Sequence, residues 1–221
     1  GYPRNDLVVN TDTKRLRSLL EKKCGKSLKD KKIVLYAPTF RSKKGKSLNT
    51  AKEVCGYIEQ MVETLPDDHV MFFKVHNTLG TFFRGKKSIE NNLIFDEIET
   101  NELLSVTDIL ITDYSSIFFD FLCTGRPILF FVYDREEYES EHGMYLELDT
   151  MPGALCYTPE EVIEQIETIK EGAYHCDQYE KNVELFAYND DGNASERVLE
   201  IIFGDGRCSA ELERYRFRAS A

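Results

Sequence analysis

The sequence has no apolar run approaching the ~18–20 residues needed to cross a bilayer as a helix, so membrane-spanning helices are excluded. It also lacks an excess of positive charge: 28 lysines and arginines face 39 aspartates and glutamates, a formal net charge of −11. That balance argues against nucleic acid as a partner and, more weakly, against an electrostatic membrane anchor. The six cysteines (Cys24, Cys55, Cys123, Cys156, Cys176 and Cys208) are scattered, with no C-x-x-C pair. Zinc-ribbon and thioredoxin-like readings fall away; reduced cytosolic thiols, with Cys123 and Cys156 in the core, are expected, and an oxidised secreted domain is the alternative. No nucleophile elbow, metal-binding histidine pair or G-x-G-x-x-G is present, and no cofactor is expected. The opening residues GYPRNDLVVN carry neither a methionine nor a signal-peptide pattern, as expected of a piece of a longer protein.

What is present is an alternation of strand-like and helix-like segments, which predicts an α/β fold. Apolar strands are expected at 32–38, 69–76, 91–96, 108–113, 127–133 and 154–158. A short amphipathic helix and linker are expected over 16–30, and helices at 49–65, from Ser115 or Ser116 to about Cys123, at 159–171, onward to about Leu185, and at 193–203. Near-continuous apolar strands separated by helices predict a Rossmann-like, mainly parallel sheet of five or six strands with helices on both faces. In NASE, Asn193 and Glu196 have capping-box spacing, and this is preferred over the glycosylation sequon that the same letters spell. The organisation expected is a linker and helix over 1–30, a Rossmann-like domain over 31–203, and an unassigned tail over 204–221.

In an open parallel sheet, ligands bind beyond the carboxyl ends of the strands. The residues to inspect are therefore Thr39 and Arg41, Lys74 and His76, Thr112 to Ser116, and Asp134. The loop RSKKGKS (41–47) is not a P-loop, because the required first glycine is Phe40. It is either a solvated basic loop or one that draws anionic ligands. The turn T-D-Y-S-S offers Ser115 and Ser116 hydroxyls beside helix N–H groups, a pairing suited to phosphate or diphosphate. Plain N-capping competes with that reading. Asp120, inside IFFDFL, needs partners if it is buried, and bonding to neighbouring backbone is its simplest role. His76 ends a strongly apolar strand at the rim, where imidazole could donate to a phosphate oxygen or protonate a leaving group. A structural histidine fits the local sequence equally well.

Taken in order, GYPRND (1–6), VLYAPTFR (34–41), FFKVH (72–76), ELLSVTDILITDYSSIFFDFL (102–122), RPILFFVYD (126–134) and DDGNASERV (190–198) form a recognisable set. Together they resemble the C-terminal half of the CDP-glycerol glycerophosphotransferase family, the primases and polymerases of teichoic acid synthesis. The resemblance implies the donor-binding half of a GT-B fold. It also implies transfer of glycerol phosphate, or a related alditol phosphate, from a CDP-linked donor to a polymer or lipid-linked acceptor, with release of CMP. It further implies a cytoplasmic enzyme at the inner face of the membrane, and an N-terminal GT-B domain, absent from this chain, that supplies a second histidine. By resemblance His76 is the catalytic histidine of this half and Arg41 closes the APT-x-R motif. Lys74, Thr112, Asp113, Ser115, Ser116 and Asp120 complete the expected substrate-binding set. Two departures stand out. Asn77 follows the histidine where the family commonly has proline, and His142-Gly143-Met144-Tyr145 stands where it usually has Arg-Gly and an aromatic residue. A UDP-linked sugar transferase or epimerase of the same fold, or a non-catalytic α/β interaction domain, remains the alternative.

Overall fold

Strand order and burial follow from the apolar runs. In the computed structural model, which describes residues 1–39, 47–75, 80–95, 97–142, 146–172 and 176–204, five strands form one sheet. They are β1 (Lys32–Tyr36), β2 (His69–Phe73), β3 (Ile109–Thr112), β4 (Ile128–Phe131) and β5 (Ala154–Cys156). Their order is β2-β1-β3-β4-β5, and every neighbouring pair is parallel. The main helices are α1 (Asp6–Asn10), α2 (Thr13–Cys24), α3 (Ser47–Thr64), α4 (Thr100–Val106) and α5 (Ile117–Phe121). After them come α6 (Arg135–His142), α7 (Pro159–Lys170), α8 (Gln178–Asn182) and α9 (Ala194–Phe203). Among the described residues, no helix is long and apolar enough to cross a membrane.

Alternate side chains of each strand enter opposite layers. Ile33, Leu35, Phe72, Leu110 and Phe130 pack with Leu16 and Leu20 of α2, Leu103 and Leu104 of α4, and Phe118 and Phe121 of α5. Val34, Tyr36, Met71, Phe73, Ile111 and Phe131 pack on the other side with Val54, Ile58 and Met61 of α3 and Val162 and Ile166 of α7. Both faces are covered, which is why these strands read as continuous apolar runs and not as alternating ones. Gly153 admits β5 to the sheet: a Cβ there would lie 2.0 Å from the Ile128 carbonyl oxygen.

Three local expectations are refined. The strand expected over 91–96 is not a ladder in its described residues, 91–95. Leu93 makes a single parallel bridge to Phe73, after which the Phe95 and Ile98 carbonyls accept from the Lys74 ammonium instead of continuing a ladder. Residues 1–30 are packed into the first layer, to which Val8, Leu16, Leu20, Cys24 and Leu28 belong. Cys123 is only half-buried, whereas Cys24, Cys55 and Cys156 are buried, and the five described cysteines are unpaired. Burial pushes the Cys55 and Cys123 thiols up to about 11 and Cys156 up to about 12. These thiols are protonated near neutral pH and poorly nucleophilic.

The capping of α9 also differs from the sequence pattern. Asn193 makes no side-chain capping bond. The first-turn N–H groups of Ala194 and Ser195 instead donate to the Asp6 carboxylate at 2.9 and 2.7 Å. Around this contact, Tyr2 N and Asn5 Nδ2 donate to Asp190 at 2.6 and 2.9 Å, and Asn101 Nδ2 donates to Asn5 Oδ1 at 3.0 Å. The first residues thus hold the start of the last helix through Asp6, beside the buried bonds of Asn5 to Asp190 and Asn101. Asp6→Ala should cost about 0.5–2 kcal/mol, the range for a lost helix cap, and should speed amide exchange at Ala194 and Ser195. Asn193→Ala should cost less. Equal losses in chemical denaturation would return the cap to Asn193.

Candidate functional site

From β1 the chain steps to β2 on one side and to β3 on the other, so the order reverses between β1 and β3. In sheets of this order that switch point opens a crevice at the carboxyl ends of the two strands. The residues found there are Ala37 to Thr39 and Thr112 to Ser116. They are bonded to one another. Thr112 Oγ1 donates to the Ala37 carbonyl at 2.8 Å. The Asp113 carboxylate accepts the Thr39 N–H at 2.9 and 3.0 Å and the Thr39 hydroxyl at 2.7 Å. Asp113 is only 2% exposed, so both its oxygens serve the β1 loop. Thr112 and Asp113 therefore fix the chain that leads toward Arg41.

Tyr114, Ser115 and Ser116 form the accessible lip. Ser115 is half-buried and Ser116 exposed. Ser115 Oγ accepts the Ile117 N–H at 3.3 Å, a long contact, and Ser116 makes no side-chain capping bond. The helix that follows is short: α5 tightens into a 3-10 turn at Leu122–Thr124 and stops at Gly125, whose φ of 67° is left-handed. So short a helix contributes little macrodipole. What the lip can offer an anion is mainly its two hydroxyls, because in the first turn Ile117 N–H already reaches Ser115 Oγ and Phe119 N–H donates to the Ser116 carbonyl at 3.1 Å.

Tyr114 closes one side of the lip. Its ring stacks on Tyr138 with centroids 3.7 Å apart and planes 11° from parallel, and its hydroxyl donates to Asp134 Oδ1 at 3.2 Å. Beyond Asp134, over the ends of β4 and β5, opens a cleft of about 670 Å³ lined by Glu53, Tyr133, Asp134, Arg135 and Tyr157 among others. Arg135 bridges Tyr157 OH at 3.3 Å and Glu139 at 3.0 Å. This cleft was not foreseen, apart from the choice of Asp134 as a rim position. The apolar run ending in Tyr133-Asp134 marks a strand end, but nothing local says that α6 and Tyr157 enclose space beside it.

Two expected site residues turn inward. The Lys74 ammonium donates to the carbonyls of Phe95 and Ile98, which holds these two residues beside the end of β2. Asp120 is buried beside Arg4, whose Nε donates to its two oxygens at 3.0 and 3.1 Å, with Nη2 2.9 Å from Oδ1. Arg41 and His76 lie outside the described residues, as do Asn77 and Gly143 to Tyr145. Among the described residues, no group of three or more His, Cys, Asp or Glu side chains could hold a metal ion.

The five-stranded parallel sheet and its switch point have the architecture of one half of a GT-B fold. The chain superposes on a variant of the wall teichoic acid polymerase TagF with a TM-score of 0.74 and 26% identity, covering 96% of this chain and 52% of that one. A TagF variant soaked with CDPG for 30 minutes aligns with a TM-score of 0.67 and 26% identity, over 93% of this chain and 50% of that one. Residues 1–204 match the family described as CDP-Glycerol:Poly(glycerophosphate) glycerophosphotransferase, and the chain belongs to it. A teichoic acid poly(ribitol-phosphate) polymerase of Bacillus spizizenii is 37% identical over 79% of this chain and 28% of its own length. A teichoic acid poly(glycerol phosphate) polymerase of Bacillus subtilis is 33% identical over 92% of this chain and 28% of its own length. The chain thus spans between a quarter and about half of the curated relatives it matches.

Burial pushes the Asp120 carboxyl above its ordinary value, and the Arg4 bonds pull it down without overcoming burial. A carboxyl raised in the folded state contributes stability that is full below its unfolded pKa and is lost as pH rises through the raised value. The stability advantage of the native chain over Asp120→Asn should therefore be full in acid and shrink as pH rises from the ordinary carboxylate range through the raised value. An advantage that grows with pH in denaturant titrations would mean that the Arg4 pair outweighs burial.

Proposed function

We propose that this chain is the donor-binding part of a transferase that moves glycerol phosphate, or a related alditol phosphate, from a CDP-linked donor to a hydroxyl of a polymer or lipid-linked acceptor. The observation that carries the reading is the switch-point lip, where Ser115 and Ser116 at the start of α5 stand beside the loop that Asp113 fixes. Such a lip suits a diphosphate: it supplies hydroxyl donors at a helix start, and the oxygens of the buried Asp113 are already occupied by Thr39.

The acceptor hydroxyl oxygen forms a bond to the distal phosphorus of the donor. The bond from that phosphorus to the bridging oxygen breaks, the electron pair leaves with CMP, and the hydroxyl proton passes to a base. The work of the protein is to align the two groups and to stabilise charge on the phosphate oxygens. His76, two residues after Lys74, would meet the charge that grows on the bridging oxygen, and Arg41 would pair with the diphosphate. The base would come from the partner half of the GT-B fold, so this chain alone binds donor and does not turn it over. In the whole enzyme, the acceptor would place the reaction at the inner face of the cell membrane.

Calorimetry with CDP-glycerol, CMP and a UDP-sugar tests this reading. The cytidine ligands should bind and the UDP-sugar should not. His76→Ala, or the pair Ser115→Ala and Ser116→Ala, should weaken CDP-glycerol by roughly tenfold to a hundredfold, since a charge-assisted contact contributes ~1.5–3 kcal/mol. In an intact enzyme carrying both halves, His76→Ala should reduce transfer far more than binding. Unchanged affinity in both variants, or preference for the UDP-sugar, would refute the proposal.

A further inference from the structure

The net charge of −11 conceals a local reversal. Residues 14–32 hold nine lysines and arginines against only Glu21 and Asp30. Four of these cations are engaged. Arg17 bonds the Leu28 and Lys31 carbonyls and faces Asp108, Lys23 pairs with Glu97, Lys31 reaches the Asp67 carbonyl, and Lys32 pairs with Asp108. The other five, Lys14, Arg15, Lys22, Lys26 and Lys29, are exposed. Among the described residues, none of their side chains makes an ion pair or hydrogen bond.

The placement of the five follows from the packing of α2. Leu16, Leu20 and Cys24 are buried, so Lys14, Arg15, Ser18, Leu19 and Lys22 share the outward face at i, i+4 spacing. Gly25, left-handed with φ 68°, ends the helix and carries the chain on to Lys26 and Lys29. On α2 the unpaired cations Lys14 and Arg15 lie two turns from Lys22, roughly 10–12 Å along the axis at ~1.5 Å per residue, a span on the scale of two phosphodiesters joined by a short polyol. Screening confines each charge to about 8 Å at physiological ionic strength, so the acidic remainder of the surface does not cancel this face. Isolated surface cations in an acidic protein would serve solubility, and they would not gather on one helix and its exit turn.

We propose that this cationic face binds an anionic phosphodiester chain, the polymeric acceptor or product of the transfer, outside the switch-point site. The inference rests on the transferase reading given above, and it names the substrate class that a second surface would take. The chain's own family is described by a poly(glycerophosphate), a polymer with one negative charge per unit, to which five unpaired cations are complementary. The single exposed apolar residue on this face, Leu19 at 47%, is a small apolar contact for insertion into a lipid surface.

Fluorescence anisotropy with a labelled, soluble poly(glycerol phosphate) oligomer tests the proposal on the full chain. Three variants are compared: K14Q/R15Q/K22Q/K26Q/K29Q, the milder Lys22→Glu with Lys26→Glu, and a control with Lys87→Gln and Lys181→Gln. Native and control proteins should bind alike. Both patch variants should lose at least about tenfold in affinity, and native binding should fall roughly tenfold to a hundredfold between about 50 and 200 mM salt. CMP affinity should be the same in every variant, so loss of CMP binding in the native chain would count against the donor reading and leave the polymer result standing. Polymer binding that survives both patch variants would overturn the proposal. So would patch-dependent binding to phosphatidylglycerol vesicles in the absence of any polymer binding, which would make the face a membrane contact.

Discussion

The candidate site depends on one buried carboxylate. Asp113 takes the N–H and the hydroxyl of Thr39 at 2.7–3.0 Å, and these bonds join the ends of β1 and β3 at the point where the sheet changes direction. A carboxylate almost excluded from water is costly unless its oxygens are satisfied. Here the satisfaction comes from the loop that must be held, so cost and function coincide. With Thr112 bonded to Ala37 alongside it, the A-P-T and T-D-Y-S-S segments become one rigid lip, although 74 residues separate Thr39 from Asp113.

A second buried polar network performs a similar task at the other end of the chain. Asn5, Asp6, Asn101 and Asp190 join the first residues to α4 and to the start of α9, and Arg4 extends the network to Asp120 in α5. The helix that begins at the lip is therefore restrained from its far end by the segment GYPRND. The sequence motifs that looked like separate islands are partners in space. Asp120 binds Arg4, Thr39 binds Asp113, and Asp190 binds Asn5.

The sheet was legible because buried parallel strands have no polar face to confuse the pattern, and β1, β2, β3, β4 and β5 all fall on expected apolar runs. The short 91–96 run was over-read: the apolar letters of Leu93 to Phe95 reflect packing, and the pull of Lys74 on two carbonyls is invisible in one dimension. The α9 cap was misplaced for a similar reason. Asn193 has the right letter and spacing, but Asp6 reaches the same N–H groups from 188 residues away. That Thr112 and Asp113 end a strand at the sheet's rim is legible in the sequence, yet their bonds to the neighbouring loop emerge only from the β1–β3 pairing. The cationic face was hidden by summation, since a net charge says nothing about where opposite charges lie.

The central claim is that the switch-point lip receives a cytidine-linked phosphate. Titrating a 15N-labelled chain with CMP and following the backbone amides tests it most directly. Perturbations concentrated at Thr39 and at Ser115 to Ile117, saturating together, are the predicted result. Perturbations centred on α2, or on the far edge of the sheet around His69 and Asn92, with the lip unmoved, would contradict it.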